Sequence, residues 1–267
     1  MFLFCSSNAR AEPAIPAPTI TTSAFPSKSL SPGRLRTIRN HLKIMPAGSA
    51  RIDRFLARVH GQGLAERINV YDLETAVAPH VYNNDRRYAV LVVDMLHDFV
   101  YGKIKCDRAV PMIPRSGELI DSARSAGVPV LYSNDSHTRR DFEIERWGEH
   151  AMRGTRGARV IVDLRPRKRD VQIPKTTYSS FFNTKLEREL KKTHDRKGPN
   201  TLIITGLHTD CCVRHTTADA FFRGYETIIA EDAVNSFTEL QYRTGLQYLK
   251  FWYLVDTLPT KKITKLF

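Results

Sequence analysis

Residues 201–220 read TLIITGLHTDCCVRHTTADA. The opening run, Thr201 to Thr205, is apolar and β-branched, the pattern of a parallel strand buried on both faces. Gly206 ends that strand, and a short turn through His208 and Asp210 leads to Cys212. From Val213 to Phe222 the residues suit a helix with an apolar face, stopped by Gly224. A cysteine at such a strand-to-helix turn sits where backbone N–H groups converge and the helix dipole favours negative charge. That position predicts a depressed thiol pKa and a nucleophilic thiolate at Cys212. The alternative is a merely buried thiol, because free cysteine is among the most buried residue types.

The same strand-then-helix alternation continues on both sides of this stretch. YAVLVVD (residues 88–94) is a continuous apolar strand ending at Asp94, and a helix is expected from about Arg115 to Ser125, closed by Gly127. VPVLYS (128–133) is a second strand, followed by a long polar loop that runs up to VIVDL. DVQIPK (170–175) is a third strand ending in Lys175, and a helix near Thr184 to Lys192 precedes the strand quoted first. YETIIAEDA (225–233) supplies a further strand and Thr238 to Trp252 a further helix. Strands alternating with helices predict an α/β domain: an open, mostly parallel sheet with helices on both faces, in three layers.

Asp94, Lys175 and Cys212 fall at the carboxyl ends of three of these strands. In open α/β sheets that edge is where ligands bind, near the point at which strand order reverses. The set suits covalent catalysis: Asp94 takes the thiol proton, Lys175 stabilises the charged state, and Cys212 attacks a carbonyl carbon. The polar loop adds Asp135 and His137 as a DxH pair, with His150 in WGEH. A carboxylate with two imidazoles suits a divalent ion such as Zn²⁺, Mn²⁺ or Fe²⁺, with water completing the coordination.

Bulk properties exclude several classes of function. Four cysteines (Cys5, Cys106, Cys211 and Cys212) are too scattered for a secreted disulfide framework and lack CxxC zinc spacing, which favours a reducing compartment. No apolar run approaches the ~18 residues needed to span a bilayer, so a membrane role is not expected. The net charge of +13 raises nucleic acid as a partner. Residues 1–51, however, carry seven basic residues against Glu12 alone, and the body's RPRKR and Lys191 to Lys197 clusters accompany no nucleic-acid-binding motif. Solvated loops explain them more simply.

The first 51 residues are rich in Ser, Thr, Pro, Ala and Arg and poor in acids, the composition of a transit peptide. A disordered tail, or a start at Met45, accounts for the same pattern; location is then cytoplasmic, or organellar if the segment targets a mitochondrion or plastid. Residues 52–87 carry helical spacing broken near Gly61 and Gly63, an expected N-terminal arm before a domain spanning 88–267.

VVDMLHDF (92–99), NDSH (134–137), WGEHAMRGTRGA (147–158), Lys175 with TYSSFFNT (177–184), and TGLHTDCCVRHTTADAFFRGY (205–225) together resemble the isochorismatase-like cysteine hydrolases, and within them most closely the nicotinamidase/pyrazinamidase group. The resemblance covers roughly Tyr88 to Asp256. It implies a six-stranded parallel sheet of order 3-2-1-4-5-6, an Asp94–Lys175–Cys212 triad, and a metal held by Asp135, His137 and His150. It further implies an oxyanion hole from the backbone N–H groups of His208 and Cys212, with a cis peptide at Leu207–His208. Phe99 and Trp147 match positions that flank the substrate ring, although core packing is an equal account of Phe99. The expected reaction is hydrolysis of nicotinamide to nicotinate and ammonia. Met95, Leu96, His97, Cys211, Gly148 and Ala151 depart from the group's usual residues, which leaves another small amide, ureide or carbamoyl compound as the alternative substrate. An isochorismatase proper hydrolyses a vinyl ether without using the thiol, and a non-catalytic binder on the same fold is the rival from another class. Relatives are often oligomeric, so a homo-oligomer is an open expectation.

Overall fold

The computed structural model describes residues 85–267. The expected tail and all but the last residues of the expected arm lie outside the described residues.

Six parallel strands form one sheet in the order β3-β2-β1-β4-β5-β6. They are β1 (Tyr88–Val93), β2 (Val130–Asp135), β3 (Val171–Lys175), β4 (Thr201–Leu207), β5 (Glu226–Asn235) and β6 (Asp256–Leu258). Every residue of β4 is buried, as are five of the six in β1, because helices cover both faces of the sheet. Alternate residues of β1 feed two cores. Val90 and Val92 pack with Leu119, Ile120 and Ala123 on one face, while Ala89, Leu91 and Val93 pack with Leu186, Val213 and Leu249 on the other.

The helices follow from the same division. A short α1 (His97–Val100) leaves β1, and α2 (Ile113–Ser125) covers the first face with α7 (Thr260–Ile263). The loop after β2 carries α3 (Phe142–Trp147). On the second face lie α4 (Leu186–Leu190), α5 (Cys212–Phe222) and α6 (Glu239–Tyr253). The start of α6 is fixed by a capping box in which Thr238 and Gln241 exchange side-chain and backbone hydrogen bonds. Among the described residues no helix is long and apolar enough to cross a membrane.

Strand order reverses between β1 and β4, which pair from Tyr88↔Thr201 to Val93↔Gly206. At the end of that seam Gly206 has φ +115°, and an added Cβ would lie 1.9 Å from the Val93 carbonyl oxygen. Only a residue without a Cβ lets the two backbones approach this closely where the chain turns toward Cys212.

Several boundaries differ from the pattern-based expectation, and β4 runs one residue past Gly206, to Leu207. β2 begins at Val130 and continues through Asn134 and Asp135, so these two are strand residues rather than the start of the loop. Asn and Asp have weak strand preference, but pairing with Pro174 and Lys175 of β3 holds them extended. β5 likewise runs on to Asn235, beyond the expected end at Ala233.

The long loop after β2 is tied back to the body through Asp98. Its backbone N–H donates to the Gly157 carbonyl at 3.1 Å, and its carboxylate accepts from the Ala151 N–H at 2.9 Å. His137 and Met152 add an isolated parallel bridge. These contacts bring His150 back over the carboxyl edge of the sheet.

Candidate active site

Sheet register assembles the reactive side chains. Asp135 and Lys175 are direct partners on β2 and β3, so their side chains project side by side. The Lys175 ammonium hydrogen-bonds the Asp135 carboxylate and lies 2.7 Å from Asp94 Oδ2. It also lies 3.7 Å from Cys212 Sγ. Asp94 leaves β1 with φ +52°, a left-handed conformation uncommon for a residue with a Cβ. Its N–H donates to the Ser133 carbonyl at 3.1 Å, and its Oδ1 accepts the Asp135 N–H at 2.8 Å. Carboxylate and thiol atoms of Asp94, Asp135 and Cys212 all fall within 4.8 Å of one another. The three residues expected to form a triad are therefore together, and all are buried.

One cation among two carboxylates and a thiol sets the charges. Burial would strip Lys175 of its proton, but Asp135 and then Asp94 hold its pKa well above the ordinary lysine value. Burial also opposes ionisation of Asp135, yet Lys175 keeps that carboxyl below its usual range. Asp94 is the group left over: burial first, and then the charge of Asp135, push it up to about 7. A carboxyl near neutrality is well matched to taking and returning a proton. Cys212 runs opposite to the expectation of a depressed thiol. A hydrogen bond with Cys211, followed by burial, raises it well above the ordinary cysteine value, and the nearby Lys175 only partly offsets this. The resting group is a thiol, and it needs a base.

At the turn into α5 the Leu207–His208 peptide is cis, as the resemblance implied. The His208 carbonyl accepts the N–H groups of both Cys211 (3.0 Å) and Val213 (3.1 Å), which winds the turn tightly under Cys212. As the first residue of α5, Cys212 has an N–H with no carbonyl four residues back inside the helix.

Asp135, His137 and His150, the three expected ligands, converge with a fourth residue, Glu143, their donor atoms lying within 4.8 Å of one another and all four residues buried. His137 has no well-formed hydrogen bond at either ring nitrogen, and Glu143 Oε1 has none either. Buried polar groups left unpartnered in this way fit a metal ion. His150 Nδ1 lies 2.8 Å from the Gly148 carbonyl, which fixes the tautomer that leaves Nε2 free to coordinate. Asp141, 3.4 Å from His137 Nδ1, is placed to orient that ring. Two imidazoles and two carboxylates form a donor set for a divalent ion of the Zn, Mn or Fe kind. Glu143 escaped the sequence reading because Glu145 and Glu149 lie in the same segment, and only burial separates it from them.

The two expected ring-flanking residues have different places. Phe99 is buried between two imidazoles, its ring centroid 5.8 Å from that of His150 and 6.0 Å from that of His208. Trp147 lies at the rim, 54% exposed, and its Nε1–H donates to the Tyr178 hydroxyl at 3.0 Å.

Known proteins are similar to this chain in sequence and in fold. The chain is 29% identical over 181 residues to nicotinamidase 3 of Arabidopsis thaliana, covering 65% of this chain and 86% of that protein. It is 30% identical over 138 residues to the ureidoacrylate amidohydrolase of Rhizobium rhizogenes, covering 43% of this chain and 54% of that one. Among solved structures, N-carbamoylsarcosine amidase from Thermoplasma acidophilum superposes with a TM-score of 0.60 at 34% identity, covering 65% of this chain and 96% of the other. The isochorismatase-domain family model matches residues 88–260, a span from the first residue of β1 to the start of α7 that holds every side chain of the site. With the strand order, the buried strand-end residues and this match in agreement, the chain belongs to the isochorismatase family of hydrolases.

Proposed function

We propose that this chain is a cysteine-nucleophile amidohydrolase and that nicotinamide is its leading substrate, converted to nicotinate and ammonia. The observation that carries the proposal is a buried thiol 3.7 Å from a lysine that also pairs with two carboxylates, beside a cluster of unpartnered buried imidazole and carboxylate groups.

In the first half-reaction Asp94 takes the Cys212 proton as Sγ bonds to the amide carbon. The carbonyl electron pair moves to oxygen, which the N–H groups of His208 and Cys212 hold. The pair then returns, the C–N bond breaks, and the nitrogen leaves as ammonia with the proton Asp94 had taken. In the second half Asp94 takes a proton from water, which attacks the thioester carbon. The C–S bond breaks, the acid leaves, and the thiol is restored. Lys175 stays charged throughout and stabilises the thiolate. A divalent ion held by Asp135, His137, Glu143 and His150 would supply a coordination site for the substrate's ring nitrogen.

A ureide or carbamoyl substrate is the second reading, supported by the likeness to the ureidoacrylate and N-carbamoylsarcosine enzymes. Ammonia release by the metal-replete protein separates the two. The expected result is turnover of nicotinamide with a kcat/KM above roughly 10⁴ M⁻¹s⁻¹, an ordinary enzymatic value, and at least tenfold below that for N-carbamoyl amino acids. The reverse order would replace nicotinamide by the ureide class.

Metal dependence has its own readout. His137→Ala is expected to lower bound metal, measured by elemental analysis after dialysis, by about tenfold or more, since loss of a first ligand is costlier than the 10–100-fold loss typical of outer-shell changes. Undiminished metal in His137→Ala would remove this residue from the ligand set.

A further inference from the structure

His208 is 6% exposed, and neither of its ring nitrogens has a hydrogen-bond partner. Such groups are rare in folded proteins because burial without a partner is costly, and each calls for an explanation. Burial pushes this imidazole down to about 4, so at neutral pH it carries no charge and offers one donor and one acceptor nitrogen. It is therefore a poor acid for a departing amine, and a hydrogen-bonding role is what remains.

Its location names the partner. His208 stands at the carboxyl end of β4, four positions before Cys212, with its backbone at the turn where the amide oxygen is held in the proposed reaction. Its ring stacks on Phe237, centroids 4.1 Å apart, and meets Phe99 edge-on at 6.0 Å. Beyond Phe99 the row of rings continues through His150 at 5.8 Å to His137, 4.7 Å further on. Phe99 thus stands between His150 and His137, the imidazoles proposed to hold the metal, and His208, and a flat ligand seated against it would meet one group on each side. Packing alone would be served by a phenyl or aliphatic side chain without two unpartnered nitrogens.

We propose that the His208 imidazole is a substrate-binding group that accepts a hydrogen bond from the amide nitrogen of a flat heteroaromatic carboxamide. This rests on the amidohydrolase reading above and deepens it: the backbone of His208 holds the amide oxygen, and its side chain holds the amide nitrogen.

The test uses the full metal-replete chain with two substitutions. His208→Phe keeps a ring to stack on Phe237 but removes the acceptor, whereas His208→Gln restores one. Steady-state rates on nicotinamide are compared with inhibition by pyridine-3-carbaldehyde, which has the same ring and carbonyl but no amide nitrogen. His208→Phe should raise KM for nicotinamide about tenfold, the loss of one hydrogen bond in a dry site. His208→Gln should recover most of it, and the aldehyde's inhibition constant should stay within about twofold in both variants. An unchanged KM in His208→Phe, or an aldehyde constant that rises in parallel, overturns the role. Wild type that releases no ammonia from nicotinamide overturns the substrate, and this role with it. Wild-type turnover with an indifferent His208→Phe overturns the role alone.

Discussion

Ammonia release by Cys212→Ala is expected to fall by about 10⁴-fold or more, while Cys211→Ala stays within about threefold of wild type. The two thiols are adjacent in sequence but not in role. Cys212 opens α5 and lies 3.7 Å from Lys175 Nζ, with an Asp94 carboxylate oxygen within 4.8 Å. Cys211 precedes the helix, is partly exposed, and acts on Cys212 through a hydrogen bond that raises the Cys212 pKa. Removing that bond eases ionisation of the nucleophile, so its loss leaves the attacking group intact. Intact-mass analysis during turnover gives a second readout, because an acyl adduct should form on Cys211→Ala and not on Cys212→Ala. Equal activity in wild type and Cys212→Ala would end the nucleophile assignment.

Lys175→Met should cost both activity and stability. The side chains of Lys175 and Asp94 have no exposed surface, and the Asp135 side chain has 3%. Taking away the cation leaves two carboxylates facing each other with nothing to balance them. Breaking a buried ion pair by removing one partner costs about 3–5 kcal/mol. Part of this is relieved if Asp94 keeps a proton, and that relief disables it as a base. The expected loss in kcat/KM is roughly 10³-fold, within the range for removal of acid–base function. Urea unfolding should show a lowered midpoint with an unchanged slope. A variant as stable and as active as wild type would mean that Lys175 neither anchors the site nor serves the chemistry.

Much of the fold is legible in the sequence because the central strands β1, β2 and β4 are buried on both faces. Runs such as 88–93 and 201–205 are apolar throughout, and buried parallel strands require this. β6 has three partly buried residues, too few to carry a pattern, and only the family resemblance implied it. Asp135 reads as a loop residue because its type disfavours strands, whereas the ladder with β3 decides its conformation. The Cys212 shift runs against the sequence expectation for a related reason. The helix terminus is visible in the sequence, but the burial and the Cys211 contact that outweigh it exist only once the chain has folded. Glu143 was hidden among neighbouring glutamates until α3 buried it beside His137.

The seam between β1 and β4 also divides the labour of the molecule. Asp94, Asp135, His137, Glu143, His150 and Lys175 all belong to the stretch that builds β1 to β3, while His208 and Cys212 belong to the stretch that builds β4 to β6. In the proposed reaction the first half would carry the base, the cation and the metal donors, and the second would contribute the nucleophile and the groups around it. Neither half holds the proposed reaction centre by itself. A change in one half is felt by the other through the β1–β4 pairing closed by Gly206 and through side-chain contacts such as Ser116 with Thr205 and Ser180 with Thr216.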